Sequence, residues 1–325
     1  MTKKLCILIA LLIMIAYAGA CHADVAETPI NAPAQSFPVG SRIAGPPEHV
    51  GVMSYVSSNP DVAVINASGQ VAIVGAGNVK IKAFDPTGKL VAILPLSIPK
   101  PDAATLNRQK ALNGDYKPGS VYGPRLPQKQ LNQLRARIDF LLHSYFPDPA
   151  TMSDTDKIIS VLSLLTLNCT YAPTWSKNYA NTAWGSLVYG EGQCSAYARG
   201  FKALADAVNL PCYYVRGSEG PKESRHQWVM VKCDGKWFHL EPQQMFNGNQ
   251  IQVSKDGLKT AFGKDRNSVP VTYLRAKFQP YENVNKLPKP HNENYVVGIN
   301  KNGGTFAVKI DEKLKRSLPL DPTMW

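Results

Sequence analysis

The sequence predicts two domains: a small all-β sandwich, followed by an α+β domain in which helices pack on an antiparallel sheet. Three observations support this fold class. Residues 50–98 alternate between apolar and polar positions in the manner of strands, with turn residues between the runs. Apolar residues recur at helical spacing from residue 128, and strand-like runs follow between residues 211 and 240. Helices followed by antiparallel strands are typical of the α+β class.

Composition places the chain among globular proteins. The 325 residues are 44% hydrophobic and 18% charged, which excludes wholesale disorder and provides enough chain for about two domains. The net charge is +12, but no basic run is interleaved with aromatic residues, which argues against a nucleic-acid partner. No Cys pair has the C-x-x-C spacing of a zinc site, and no phosphate-binding glycine loop stands out, so we expect no metal and no cofactor.

Residues 1–23 have the pattern of an export signal peptide. Lys3 and Lys4 precede an unbroken apolar run over residues 5–16, and small residues lead to Cys21. A helix that spans a membrane needs about 20 apolar residues, and this run is shorter. The alternative interpretation is an N-terminal membrane anchor. We therefore expect a protein that is secreted or associated with the cell envelope, in the periplasm or at the cell surface. The Ala-Gly-Ala-Cys run resembles a bacterial lipobox, which implies lipidation of Cys21 as the means of membrane attachment.

A spacer over residues 24–34 precedes the predicted sandwich, residues 35–99. The apolar side chains that share one face of its strands are Val71, Ile73, Val79, Ile81 and Ala83. The segments Ser57-Ser58-Asn59-Pro60, Val62-Ala63 and Ser68-Gly69-Gln70-Val71, followed by Gly75, resemble the bacterial Ig-like group 2 domain. The resemblance implies an immunoglobulin-like spacer or adhesion module without chemistry of its own.

Residues 100–127 are rich in Pro and predict a linker, or a strap along the next domain. The α+β domain is expected over residues 128–285 and begins with a helix that ends at Phe146. Ser153 and Asp156 have the spacing of a capping box for a second helix. A C-terminal extension, residues 286–325, contains one more hairpin and a basic end.

A glycine-rich turn leads directly into the third predicted helix, which spans residues 194–208. In the run Gly190-Glu191-Gly192-Gln193-Cys194 the glycines allow a sharp turn, and Cys194 falls at the helix N-terminus. The positive end of the helix dipole favours a thiolate at that position. Cys194 is therefore a candidate nucleophile, whereas an isolated Cys is more often a small core residue.

A predicted hairpin brings a base and a carboxylate together. His226 enters one strand, Glu241 follows the next, and the Asp234-Gly235 pair between them is a hairpin turn. Pairing across this turn places His226 and Glu241 near the same end of the hairpin. The carboxylate would orient the imidazole, and the imidazole would activate a thiol.

Taken together, Gly-x-Cys194, His226-x-Trp and Glu241-Pro resemble the transglutaminase-like superfamily of papain-type Cys-His-Asp enzymes over about residues 130–245. The resemblance implies Cys194 as nucleophile, His226 as base and Glu241 as the orienting residue, although the family normally has Asp at the third position. It also implies an oxyanion donor beside the Cys194 backbone N–H, from a side chain such as Gln193 or Trp184.

Three functions remain open at this point. The first is an exported cysteine peptidase or amidase that acts on cell-surface protein or on cell-wall peptide. The second is a cross-linking transglutaminase that uses the same three residues with a Lys amine as acceptor. The third is an inactive envelope binding or adhesion protein.

A disulfide between Cys212 and Cys233 is a further possibility that the sequence leaves open. The two residues lie on neighbouring predicted strands, and the alternative is that both thiols are free.

Overall fold

The computed structural model describes the chain between residues 33 and 310, with gaps. The described ranges are 33–46, 54–146, 148–172, 174, 177–219, 224–243, 246–247, 270–274, 279–280, 286–299 and 305–310. The predicted export signal, its lipidation site Cys21 and the basic end of the chain lie outside these ranges. None of the helices in the described ranges has the length and apolar character needed to cross a membrane.

The N-terminal unit consists of two three-stranded antiparallel sheets that face each other. Its strands are β1 (Arg42–Ala44), β2 (Ser54–Ser57), β3 (Ala63–Ile65), β4 (Gln70–Ile73), β5 (Gly77–Phe84) and β6 (Leu90–Ile98). The strand orders are β1-β4-β3 and β2-β5-β6. The apolar face predicted from the sequence is confirmed, since each of its residues is buried: Val71, Ile73, Val79, Ile81 and Ala83. We call this unit the sandwich.

The Pro-rich segment that follows contains a helix. Helix α1 (Ala103–Ala111) is capped by Asp102, the residue before it, whose side chain accepts a hydrogen bond from the Thr105 N–H at 2.7 Å. Three side chains of this segment that follow α1 are buried in the main hydrophobic core: Tyr116, Tyr122 and Leu126. The segment is therefore a strap packed on the next unit rather than a free linker.

Three longer helices form the helical layer of the second unit, which we call the α+β unit. They are α2 (Gln128–Tyr145), α3 (Asp154–Asn168) and α4 (Cys194–Ala207). The predicted capping box of α3 is present, because the Ser153 hydroxyl accepts from the Asp156 N–H and the Asp156 carboxylate accepts from the Ser153 N–H. Between α3 and α4 the chain forms a 3-10 helix (Asn178–Asn181) and a π-helix (Gly185–Tyr189).

Helix α4 packs against an antiparallel sheet. The strands of the unit are β7 (Thr170–Tyr171), β8 (Glu191–Gly192), β9 (Cys212–Glu219), β10 (Ser224–Cys233), β11 (Lys236–Leu240), β12 (Phe246–Asn247), β13 (Pro270–Leu274), β14 (Gln279–Pro280), β15 (Tyr295–Ile299) and β16 (Thr305–Lys309). The sheet against α4 has the order β11-β10-β9-β14. Asp234 and Gly235 form the predicted hairpin turn with φ values of 47° and 80°. Val229 and Val231 face the helical core, and Trp228 lies on the opposite face.

A second antiparallel sheet crosses a predicted boundary. Its order is β12-β13-β15-β16, and β15 pairs with β16 as the predicted C-terminal hairpin. Strand β13 lies before residue 285, and β15 lies after it. Residues 286–310 therefore complete a sheet of the α+β unit, whereas the sequence predicts that they form a separate extension.

The sandwich and the α+β unit share a core. Ala72 and Val74 of the sandwich belong to the same buried cluster as the residues of α2, α3 and α4. At the edge of this contact Lys129 forms an ion pair with Asp61, and both side chains are more than half exposed. The predicted β-sandwich and α+β architectures are both present, and they are joined by a buried interface rather than by a linker alone.

Candidate active site

The turn before Cys194 is held by glycines that cannot carry side chains. Gly190 has φ 93°, in the left-handed region that favours glycine. A Cβ on Gly192 would lie 2.4 Å from the Cβ of Ala196, so the chain passes too close to α4 for any larger residue. Gln193 is the N-cap residue, and Cys194 is the first residue of α4, as predicted. The nucleophile candidate is therefore at a helix N-terminus, 4% exposed.

The thiol of Cys194 faces strand β10. Its Sγ lies 3.7 Å from Oε1 of Gln227, the residue that follows His226. Tyr214 of β9 lies near the thiol: burial raises the pKa of the Tyr214 hydroxyl, Arg199 and Arg216 lower it, and a negative charge on Cys194 would raise it. The guanidinium of Arg199 lies 4.4 Å from the centre of the Tyr214 ring, which places a positive charge near this side of the site.

The predicted contact between His226 and Glu241 is present. Nε2 of His226 is hydrogen-bonded to Oε2 of Glu241, and the two side chains are 11% and 5% exposed. The other oxygen of Glu241 accepts a hydrogen bond from the Gln243 N–H at 3.1 Å. Both carboxylate oxygens are thus engaged, and this fixes the plane of the group that holds the imidazole.

The register of the hairpin explains why glutamate fits. Cys233 lies opposite Lys236, and the paired ladder ends where Val229 lies opposite Leu240. Continuing this register by one residue places Glu241 opposite Trp228, so His226 is a diagonal neighbour rather than a direct one. The additional methylene of glutamate, compared with aspartate, helps the carboxylate reach along that diagonal.

Two further residues support the imidazole. The Trp228 ring stacks with the His226 ring at a centroid distance of 5.9 Å and an angle of 19°. The indole Nε1–H of Trp228 donates to Nδ1 of His239 at 3.0 Å. Burial lowers the pKa of His239 to about 4, so this imidazole is neutral at ordinary pH and its Nδ1 can accept. His239 itself is buried.

Two contacts involve the three predicted residues, and neither of them joins Cys194 to His226 directly. One joins Cys194 to Gln227, and the other joins His226 to Glu241. Gln227 and His226 are consecutive residues of β10, whose side chains point to opposite faces of the strand, so Gln227 points toward α4 and His226 toward the side of Trp228. Gln227 was not predicted as part of the site, although it is the middle residue of the His-Gln-Trp segment that indicated the base.

The two predicted oxyanion side chains are engaged elsewhere. The single N–H of the Trp184 indole donates to Oε1 of Gln133 at 2.8 Å within the core, so it is not a donor to substrate here. The side-chain amide of Gln193 donates to the carbonyl of Ala172, and its Oε1 is buried without a hydrogen-bond partner. In this structure the Trp184 indole is therefore directed at Gln133, and the Gln193 amide is directed at the protein backbone.

The predicted disulfide is not formed, because Cys212 and Cys233 are both free and buried. Cys212 lies opposite Val231, so Cys233 is displaced from it by two positions along β10. Cys233 instead contacts the Thr155 hydroxyl at 3.5 Å. Burial raises the pKa of Cys233 to about 11 and that of Cys169 to about 12, so neither thiol is activated. Among the described residues, no group of three or more His, Cys, Asp or Glu could hold a metal ion.

Two family models match parts of the sequence. The model described as the transglutaminase-like superfamily matches residues 148–242, a range that contains Cys194, His226 and Glu241. The model described as the intimin immunoglobulin-like domain matches residues 50–87, within the sandwich. Both matches agree with the resemblances found in the sequence, at the level of a transglutaminase-like domain and an immunoglobulin-like domain.

Several solved structures are distantly similar. A TGase is 20% identical, with 39% of this chain and 36% of that chain covered and a TM-score of 0.28. A candidate cysteine protease from Cytophaga hutchinsonii is 12% identical and has a TM-score of 0.29; the match covers 59% of this chain and 64% of that protein. Red sea bream transglutaminase is 11% identical and has a TM-score of 0.24; the match covers 61% of this chain and 43% of that protein. The chain spans less than two thirds of each of these proteins, and a search of curated protein sequences found no match.

Proposed function

We propose that this chain is a cysteine enzyme that attacks amide bonds, and the match of residues 148–242 to the transglutaminase-like superfamily model supports this proposal. The observation that carries the proposal is the arrangement of β10 and α4. Cys194 begins α4 and contacts Gln227, while the adjacent His226 is bound to Glu241. A thiol at a helix N-terminus is favoured as a thiolate, and an imidazole held by a carboxylate can serve as its base; the proposed reaction requires His226 to reach the Cys194 thiol from the position next to Gln227.

The proposed reaction begins with transfer of the thiol proton from Cys194 to Nδ1 of His226. The thiolate attacks the amide carbonyl carbon, and the oxygen takes up negative charge against the backbone N–H of Cys194. The carbon–nitrogen bond then breaks, and the imidazolium returns its proton to the departing amine. Water attacks the resulting thioester, which yields a carboxylic acid and restores the thiol. Glu241 stabilises the imidazolium through Nε2 in the first step.

We place the substrate outside the cytoplasm, as protein at the cell surface or peptide of the cell wall. Two observations support this location. The sequence begins with the pattern of an export signal, and the sandwich matches an immunoglobulin-like domain of intimin.

Transfer to an amine is the second candidate reaction. Cys194 is only 4% exposed, and a thioester formed on a buried sulfur is shielded from water. A lysine amine that enters the site would then compete with water as acceptor, and the product would be a cross-linked protein. The same three residues would serve both reactions.

Incubation of the purified protein with fluorescent casein, with and without dansylcadaverine, tests these proposals. Release of labelled peptides supports hydrolysis, and incorporation of dansylcadaverine supports transfer to an amine. Cys194→Ala should abolish either product, because it removes the nucleophile. Neither product, together with a Cys194 thiol that alkylates no faster than an ordinary cysteine, would overturn the enzyme proposal in favour of a binding protein.

A further inference from the structure

The C-terminal end of the π-helix receives its hydrogen bonds from the sandwich. The last carbonyls of a helix have no partners within the helix. The Tyr189 carbonyl accepts from Nη2 of Arg42 at 3.3 Å and from Nδ2 of Asn66 at 3.1 Å. Both donors belong to the sandwich, and a cation at a helix C-terminus is also favoured by the helix dipole. The sandwich therefore caps a helix of the α+β unit.

Arg42 links three elements at this point. Its Nη1 donates to the Asn168 carbonyl at the end of α3 at 2.5 Å, and its Nη2 also donates to the side chain of Gln70 in β4. Burial lowers the pKa of Arg42 to about 10, partly offset by the nearby carboxylate of Glu191. The guanidinium remains charged at neutral pH and holds the end of α3, strand β4 and the π-helix together.

The chain runs from this cap to Cys194 through anchored residues. A Cβ on Gly190 would lie 1.9 Å from Nη2 of Arg42, so the guanidinium rests directly on the turn. The next two residues, Glu191–Gly192, pair with β7. The Gln193 N–H then donates to the Ala180 carbonyl at 2.7 Å, immediately before Cys194. Because these residues are tied down in succession, a displacement at Tyr189 is transmitted to the first residue of α4.

From these contacts we infer that the sandwich supports the active site from outside, and that Arg42 and Asn66 are positioning residues for the Cys194 nucleophile. This inference rests on the proposed function. Arg42 touches neither the thiol nor the site of the substrate; it acts through the Tyr189 carbonyl and the Gly190 turn. The immunoglobulin-like unit then does more than present the enzyme at a surface, since it fixes the position of the reacting sulfur.

Alkylation of Cys194 by iodoacetamide in the purified protein provides the test. The rate is followed between pH 5 and pH 9 by mass spectrometry of the Cys194 peptide, and urea unfolding is measured in parallel. Arg42→Ala should lower the rate at pH 6.5 at least about tenfold and move the midpoint of the pH profile upward. Arg42→Lys keeps the charge and one donor group, and it should recover part of the loss.

Lys129→Ala is the matched control, because it removes the exposed Lys129–Asp61 ion pair of the same interface without touching the turn. It should leave the pH profile unchanged. If Arg42→Ala does not fold, Asn66→Asp replaces it; this variant keeps the oxygen that accepts from the Gln70 N–H and loses the donor to Tyr189. It should also slow alkylation.

The outcomes separate the two claims. A folded Arg42→Ala or Asn66→Asp protein with the wild-type pH profile overturns the positioning role and leaves the proposed function intact. Slow alkylation of the wild-type protein below pH 7 overturns the proposed function itself. Equal slowing by Lys129→Ala would show that any loosening of the interface has this effect, and it would overturn the specific role of Arg42.

Discussion

Glu241 holds Nε2 of His226 from just beyond the end of the β10–β11 ladder, and in the proposed reaction this contact decides which ring nitrogen accepts the thiol proton. With Nε2 bound to the carboxylate, the proton of the Cys194 thiol is taken by Nδ1 in the proposed reaction. The hairpin turn, the register and the length of glutamate together place the carboxylate there. In the proposed reaction the orienting carboxylate is therefore that of a glutamate, whereas the family that the sequence resembles normally has an aspartate.

Glu241→Gln should strongly reduce turnover, because a neutral amide cannot stabilise the imidazolium and can favour the wrong tautomer. We expect kcat/KM for the amide substrate to fall by at least about 100-fold with little change in folding. Glu241→Asp retains the charge but is shorter by one methylene, so it should be intermediate between the wild type and Glu241→Gln. Full activity of Glu241→Gln would exclude Glu241 as the orienting residue.

His239 should make the folded protein less stable in mild acid. Its pKa is about 4 when folded, because burial disfavours the charged form, and about 6.5 when unfolded. Between these values the unfolded state binds more protons, so the free energy of unfolding falls as the pH falls from 6.5 to 4. The contribution of His239 to this loss is about 3 kcal/mol at most.

Urea unfolding of the wild type and of His239→Gln between pH 4 and pH 7 measures that contribution. Glutamine keeps an acceptor for the Trp228 indole but does not titrate. The difference in unfolding free energy between the two proteins should therefore change with pH over this range. A difference that is constant from pH 4 to pH 7 would show that His239 does not titrate as its burial requires.

Arg137 should contribute strongly to stability. Its guanidinium is buried and donates to the Leu187 carbonyl at 3.1 Å, to the Gly40 carbonyl at 2.6 Å and to the Asn168 side chain at 2.5 Å. Arg137→Ala leaves these acceptors buried without a partner, and it should reduce the free energy of unfolding by about 3 kcal/mol or more.

Lys129→Ala is the comparison for this measurement, since it removes a cation from the exposed edge of the same interface. Exposed ion pairs contribute little, so its effect should be at most about 1 kcal/mol. Equal losses for the two variants in urea unfolding would show that the buried guanidinium has no special role in joining the sandwich to the α+β unit.

Cys169, Cys212 and Cys233 should resist alkylation in the native protein. Burial raises the pKa of Cys169 to about 12 and of Cys233 to about 11, and it also raises the pKa of Cys212. At pH 7 these groups are protonated and enclosed, so mass spectrometry after brief iodoacetamide treatment should find Cys194 modified first. Unfolding in urea should expose all four to the reagent, and preferential modification of Cys169 in the native state would contradict this assignment.

Local signals allowed much of the site to be predicted. The glycine turn and the helix that begins at Cys194 are encoded within a few residues, and the Asp234-Gly235 pair determines the hairpin that joins His226 to Glu241. The two-residue displacement of Cys212 from Cys233 could not be obtained in this way. It depends on the register between β9 and β10, in which Cys212 lies opposite Val231.

The contacts that the sequence did not reveal are long-range or lack a periodic pattern. Helix α1 has no buried residue, so it shows no apolar stripe, and only its cap at Asp102 marks its start. Arg42 and Tyr189 are separated by 147 positions, and no local pattern predicts their hydrogen bond. Trp184 was assigned by analogy to an oxyanion role, whereas its indole is committed to Gln133 of α2.

The central claim is that His226 activates the thiol of Cys194. The most direct measurement is the rate of Cys194 alkylation by iodoacetamide as a function of pH, in the wild type and in His226→Ala. We predict fast alkylation of the wild type below about pH 7 and loss of that reactivity in the variant. Reactivity that rises only near about pH 8.5, the value of an ordinary cysteine, and that is the same in both proteins would contradict the claim.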